Sequence, residues 1–207
     1  MKKYVVKIPF FIKFLYPKRL WHFSRKQKTI YLTFDDGPIP EVTPWVLQQL
    51  HQHNAKATFF CIGANIEKHP DIFKQIKTHG HSAGNHTFNH LNASKTSITA
   101  YIENIERAAK YFDKPSLFRP PYGQLDTAKA KALLKKGYKI VMWDVLSADF
   151  DRELSPEQCL KNVIDNAKNG SIIIFHDSLK AEKNLRYALP KALGYFSEKG
   201  YEFKAID

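Results

Sequence analysis

TIYLTFDDGP, residues 29–38, is where the architecture of this chain first declares itself. Ile30, Leu32 and Phe34 fall on one face of a strand by the two-residue period, which anchors that strand in a core. The strand then delivers two adjacent carboxylates, Asp35 and Asp36, and turns at Gly37-Pro38. Neighbouring carboxylates repel, so they need a cation between them or separate tasks. A metal held by one acid, with the other left as a base, meets both needs. An ordinary Asp-Gly-Pro turn with two solvated acids is the bland alternative, and this stretch alone does not choose between them.

Outward from that point, short apolar runs alternate with helical patterns. The runs predict strands at 29–34, 57–61, 82–84, 117–119, 139–143, 171–175 and 202–205. The helical patterns cover 40–53, 70–79, 94–112, 126–136, 156–169 and 182–199. Ser155 before Pro156 reads as an N-cap, and Gly80, Gly137, Gly170 and Gly200 each follow a helix as C-terminal caps do. Strand alternating with helix predicts an α/β fold with a parallel sheet. Reactive groups in such folds gather at the carboxyl ends of the strands.

Several polar clusters stand at those ends. His86 and His90 are four apart, so a helical turn would bring both to one face. Two imidazoles plus a carboxylate suit zinc or a similar divalent ion and leave positions open for water and substrate. His81 precedes its strand and is assigned a structural role. Arg119 leads into Pro120-Pro121-Tyr122-Gly123, where paired prolines stiffen the backbone. An arginine there can keep a site carboxylate ionised, and a backbone N–H just beyond can meet an oxyanion. The acids of Trp143–Asp151 can orient a histidine and raise its pKa. A last buried run delivers His176-Asp177.

Composition bounds the remaining possibilities. The 207 residues suit one domain, and 43% hydrophobic with 14% aromatic content excludes a disordered chain. A net charge of +12 attracts polyanions without specifying one. Cys61 and Cys159 are too few and too separate for a disulfide framework. No run approaches the ~20 apolar residues of a membrane span. Residues 1–28 mix Phe, Trp and Tyr with Lys and Arg, and are expected to form an ordered arm on the domain of residues 29–207. A peripheral membrane or envelope contact is the alternative for this arm. No clear export signal is present, so localisation stays open between cytoplasm and cell-envelope periphery. The sequence sets no oligomeric state and requires no specific nucleic acid.

These clusters, in this order, resemble the polysaccharide deacetylase family, the NodB-homology or carbohydrate esterase family 4 domain. The resemblance rests on TFDDGP at 33–38, HTFNH at 86–90, RPPYG at 119–123, WDVLSADF at 143–150 and IFHD at 174–177. It implies a distorted (β/α) barrel of about seven parallel strands. It implies a metal on Asp36, His86 and His90, with Asp35 as base, Arg119 orienting Asp35, and the Tyr122 N–H at the oxyanion. His176 would be the acid, tuned by Asp149, and Pro121, Phe150 and Ile174 would line the substrate site. The implied cofactor is one divalent ion, zinc first, with cobalt, nickel or manganese as alternatives. The implied activity is removal of N-acetyl groups from a peptidoglycan-like or chitin-like carbohydrate. Leu146 and Phe150 depart from the family's usual Asp and Trp, which bears on substrate preference. Two other readings stay open: hydrolysis of another amide or ester on the same scaffold, and a non-enzymatic polyanion binder.

Overall fold

The computed structural model describes residues 4–112 and 117–207. Met1–Lys3, at the head of the expected arm, lie outside the described residues. Strands β1 (Thr29–Asp35), β2 (Ala57–Cys61), β3 (Ser82–Asn85), β4 (Leu117–Phe118), β5 (Lys139–Ile140), β6 (Val145–Leu146) and β7 (Ile172–His176) form one parallel path. Their order is β5-β4-β3-β2-β1-β7-β6, with β8 (Glu202–Phe203) pairing to β1. This half-barrel of seven parallel strands is the α/β architecture expected as a distorted (β/α) barrel from the family resemblance. Ile30 and Phe34 are fully buried and Leu32 is 1% exposed, as the two-residue period requires. Phe34 stacks between Phe59 and Phe175 from the flanking strands, at 5.0 and 6.1 Å between centroids.

Helices α1 (Phe10–Leu15), α2 (Thr43–Gln52), α3 (Gly63–Lys68), α4 (Pro70–Thr78), α5 (Ile98–Ala109), α6 (Thr127–Lys135), α7 (Pro156–Ile164) and α8 (Glu182–Glu198) complete the fold. Ser155 caps α7, its hydroxyl accepting from Gln158 N–H. The helix expected from Ser94 starts later: Ala93–Lys95 is a 3-10 turn, and Ser97 is the N-cap of α5. α1 and α3 were not expected, since neither six-residue run shows a full amphipathic period.

The strand expected over Lys139–Trp143 is divided into two. β5 pairs with β4, and only five residues later β6 pairs with β7 at the opposite edge of the sheet path. The linking residues cross the seam between the two edges, and the N-terminal arm fills it. Met142 N–H donates to Leu20 O at 2.8 Å, Leu146 N–H to Val6 O at 2.8 Å, and Ile8 N–H to Asp144 O at 3.1 Å. Trp21 is buried in the adjoining core, with Ile8 and Ile12 packed against it.

One carboxylate holds this seam. Asp144 is fully buried and accepts from Lys7 at 2.7 Å, Arg25 at 2.9 Å, the Ser171 hydroxyl at 2.6 Å, and Lys13. Burial would raise its pKa, but these partners outweigh it and hold it below the usual carboxylate range. The outward face of α1 stays bare: Phe10, Phe11, Phe14 and Leu15 are exposed. Among the described residues no helix is long and apolar enough to cross a membrane.

Candidate active site

The five motifs meet in one cleft of about 420 Å³ at the carboxyl ends of the strands. Asp35, Asp36, His86, His90, Tyr122, Phe150, Ile174 and His176 all line it. Arg119, Asp149 and Pro121 are buried behind the lining, and Pro120 rather than Pro121 faces the cleft. His81 lies elsewhere: its Nδ1 accepts from Ala57 N–H at 3.2 Å, and burial lowers its pKa to about 4.

Strand geometry places the two acids apart. Asp35 ends β1 and pairs in register with His176 at the end of β7. Asp36 follows with φ of 86°, which swings its side chain away from its neighbour's. The turn beyond it is held by Asp177, which accepts from Gly37 N–H at 3.0 Å and from the Thr43 hydroxyl at 2.6 Å. A Cβ at Gly37 would stand 2.0 Å from Asp177 Oδ2, so the position admits only glycine. Thr87, His90, Tyr122 and Ala148 also have positive φ. Such conformations cost roughly 1–3 kcal/mol each, and here they cluster in the loops that carry the site.

Asp36, His86 and His90 each offer a ligand atom, all within 4.8 Å of one another. The two histidines do not lie on a helical turn, as their spacing suggested. The segment is a bend, pinned where Asn85 Oδ1 accepts from Thr87 N–H and Asn104 Oδ1 from Phe88 N–H, both at 2.8 Å. Polar side chains override the helical alternative locally. His86 Nδ1 donates to Arg119 O at 2.8 Å, which leaves Nε2 unprotonated and facing Asp36 at 3.7 Å. Burial lowers the His86 pKa to about 4, so the ring is neutral at neutral pH, as a ligand must be.

Asp36 Oδ1 is 3.2 Å from His90 Nε2, but that contact lacks hydrogen-bond geometry. The oxygen is buried with no hydrogen-bond partner. Burial raises the Asp36 pKa, and attraction from His90, His176 and His86 overcomes it, leaving the carboxyl below its usual range. An orphaned anionic oxygen beside an imidazole lone pair fits a divalent cation by donor type.

Flanking the triad are two braced pairs. Arg119 is fully buried and its Nη1 donates to Asp35 Oδ1 and to Thr33 Oγ1, both at 2.7 Å. Its other donors reach Val141 O at 3.2 Å and Met142 O at 2.8 Å, so the guanidinium has no freedom to turn. Opposite, Asp149 Oδ1 accepts from His176 Nδ1 and Oδ2 from His176 N–H, both at 2.7 Å. Burial would lower the His176 pKa, but Asp149, helped by Asp36 and Asp35, raises it to about 9. A cation at Asp36 would cancel part of that rise.

Three lining residues were not singled out from the sequence: Tyr4, Trp143 and Lys180. Trp143 sat inside a quoted motif without a role, whereas Leu146 was noted there only as a departure from the family pattern. Tyr4 carries no local signal, because its partner Asp151 lies 147 positions away.

A part-buried Asp-His-His triad between a braced acid and a braced imidazole has the donor set that a metal-hydrolase site requires. The chain belongs to the polysaccharide deacetylase family, whose description residues 23–141 match. A peptidoglycan-N-acetylglucosamine deacetylase of Bacillus cereus is 38% identical over 90% of this chain and 90% of its own length. A chitooligosaccharide deacetylase of Azorhizobium caulinodans is 38% identical over 74% of this chain and 76% of its own. The crystal structure of a peptidoglycan N-acetylglucosamine deacetylase superposes with a TM-score of 0.87 at 32% identity, covering 96% of this chain and 95% of that one. Some relatives are longer: the chain spans 56% of a second Bacillus cereus enzyme of the same name.

Proposed function

We propose that this protein removes N-acetyl groups from N-acetylglucosamine units of a peptidoglycan-like or chitin-like glycan. The observation that carries the reading is the pairing of Asp35–Arg119 with His176–Asp149 across one Asp-His-His triad. The similarity to deacetylases acting on both glycans supports the substrate class. A divalent ion on Asp36, His86 and His90, zinc first among the choices, would supply Lewis acidity for the amide carbonyl and for water.

Asp35 takes the proton of the attacking water, held in place by Arg119. The negative charge that develops on the carbonyl oxygen is met by the Tyr122 backbone N–H. His176 gives its proton to the departing amine, and Asp149 keeps that imidazole charged and aimed. The acyl group lies against Ile174 and Phe150. Residues 29–207 carry this chemistry, and residues 1–28 serve as the arm. The bare Phe10, Phe11 and Phe14 face supports a peripheral envelope contact for the arm. Co-sedimentation with anionic vesicles tests that contact, and equal pelleting by a triple serine variant of those residues would refute it.

The activity test is acetate release from chito-oligosaccharides and peptidoglycan fragments by the metal-loaded protein. Release from either class is expected. A loaded protein that frees acetate from neither, yet hydrolyses a small acylated molecule, would move the assignment to the other hydrolase reading.

A further inference from the structure

The cleft has two chemically different ends. One holds the charged groups already described. The other is apolar: Leu146, Ala148 and Ile174 form a small buried cluster, with Trp143, Phe150 and Tyr4 packed against it. Five of these six come from β6, β7 and the segments flanking β6. Tyr4 comes from the arm, far from any motif.

Tyr4 is built into this place. Its hydroxyl donates to Asp151 Oδ2 at 2.7 Å. Its ring meets Phe150 edge-on, at 5.7 Å and 73°, and Phe150 in turn meets His176 at 5.2 Å and 83°. Three rings thus stand in file from the proton donor to the arm. The backbone two residues on is fixed, since Val6 O accepts from Leu146 N–H and Lys7 bridges to Val145. The Asp144 cluster then locks the arm to the seam.

An N-acyl sugar whose carbonyl faces the Asp-His-His triad must send its acyl carbons somewhere. Its hydroxyl-rich ring suits the open, polar mouth, so the acyl carbons run toward the apolar end. There the chain meets the wall that Phe150 and Tyr4 make. We propose that Tyr4 determines acyl-chain specificity: the arm closes the apolar end of the cleft and confines the enzyme to short acyl groups. This rests on the deacetylase reading and adds to it a residue outside every motif.

The test compares wild type, Tyr4→Ala and Tyr4→Phe on one chito-oligosaccharide carrying acetyl, propionyl or butyryl amides. A methylene in an apolar pocket changes kcat/KM by about 10–200-fold. Tyr4→Ala should therefore raise the butyryl-to-acetyl ratio of kcat/KM at least about tenfold. Tyr4→Phe keeps the ring and should keep the wild-type ratio. A second readout needs no turnover: calorimetric binding of acetohydroxamic and butyrohydroxamic acid to the metal-loaded proteins. Tyr4→Ala should shift that affinity ratio toward the longer acid, whether or not the glycan amides are cleaved. Two outcomes overturn the proposal. One is an unchanged chain-length ratio in both assays for a Tyr4→Ala protein with wild-type melting temperature. The other is a KM rise of equal size for every acyl length, which would make Tyr4 a platform for the sugar ring.

Discussion

Two aspartates lie at opposite ends of the parallel strands, fully buried Asp144 just before β6 and part-buried Asp36 just after β1, and their bonding is opposite too. Asp144, at the seam, has its oxygens taken by three cations and a serine hydroxyl. Asp36, in the cleft, has a buried oxygen without a hydrogen-bond partner and two imidazoles within reach of it. Both carboxyls are held below the usual pKa range against the pull of burial. The difference lies in what remains unsatisfied. A carboxylate that is fully paired is tied to its partners in the fold, whereas one with an unpaired oxygen beside two imidazoles fits a cation by donor type.

Substitution should separate the two sites. His86→Ala removes a ligand beside Asp36 and should abolish acetate release together with metal retention, with melting of the metal-free protein little changed. Full metal occupancy in purified His86→Ala, measured by plasma emission, would collapse the contrast. Asp35→Asn should lose roughly 10²–10⁴-fold in turnover, the usual size of a general-base effect, while metal content stays at the wild-type level.

Asp144→Ala should do the reverse, leaving metal affinity near wild type and costing stability. Loss of one partner from a fully buried ion pair costs about 3–5 kcal/mol. Lys7 and Arg25 keep 30% and 36% side-chain exposure, so solvent screens part of their unpaired charge. The expected loss is therefore about 2–3 kcal/mol in chemical denaturation. Because the folded-state pKa of Asp144 is depressed, its contribution is present above the ordinary aspartate pKa and fades as pH falls through the acid range. The gap between wild type and Asp144→Ala should thus be wide at pH 7 and narrow toward pH 2.

The mildest expected effect concerns His176. Its pKa is raised, to about 9, so the protonated acid is available below that value and lost as pH climbs through it. The alkaline limb of kcat should fall at or below pH 9. Asp149→Asn removes the main support of the imidazolium and should move that limb toward acid by about one unit or more. A limb that stays in place would show that another group sets it.

What was legible in the sequence follows from distance along the chain. Asp35 and Asp36, His86 and His90, and Arg119 with its prolines each sit at the end of one strand or in the short segment that follows it. Their chemistry is therefore written in contiguous letters, and the parallel fold brings those segments together. The seam was not legible. Val6 meets Leu146, Lys7 meets Asp144, and Tyr4 meets Asp151, pairs with no local period to betray them. The strand over Lys139–Trp143 was misjudged for the same reason, since Leu20 of the arm takes the hydrogen bond of Met142. The His86–His90 spacing misled in another way: Thr87 and His90 both take positive φ, and the Leu91 N–H donates to the Thr87 hydroxyl instead of to a backbone carbonyl.

The seam also sets a timetable for synthesis. Lys7 reaches the ribosome exit 137 positions before Asp144, and Tyr4 147 positions before Asp151. At about 5–20 residues per second, an aromatic, lysine-rich leader waits about 7–30 s for its binding partners to be translated. During that interval it is an adhesive segment attached to an unfinished nascent chain. Slowing elongation between codons 29 and 144 should therefore lower soluble yield more than slowing it after codon 176.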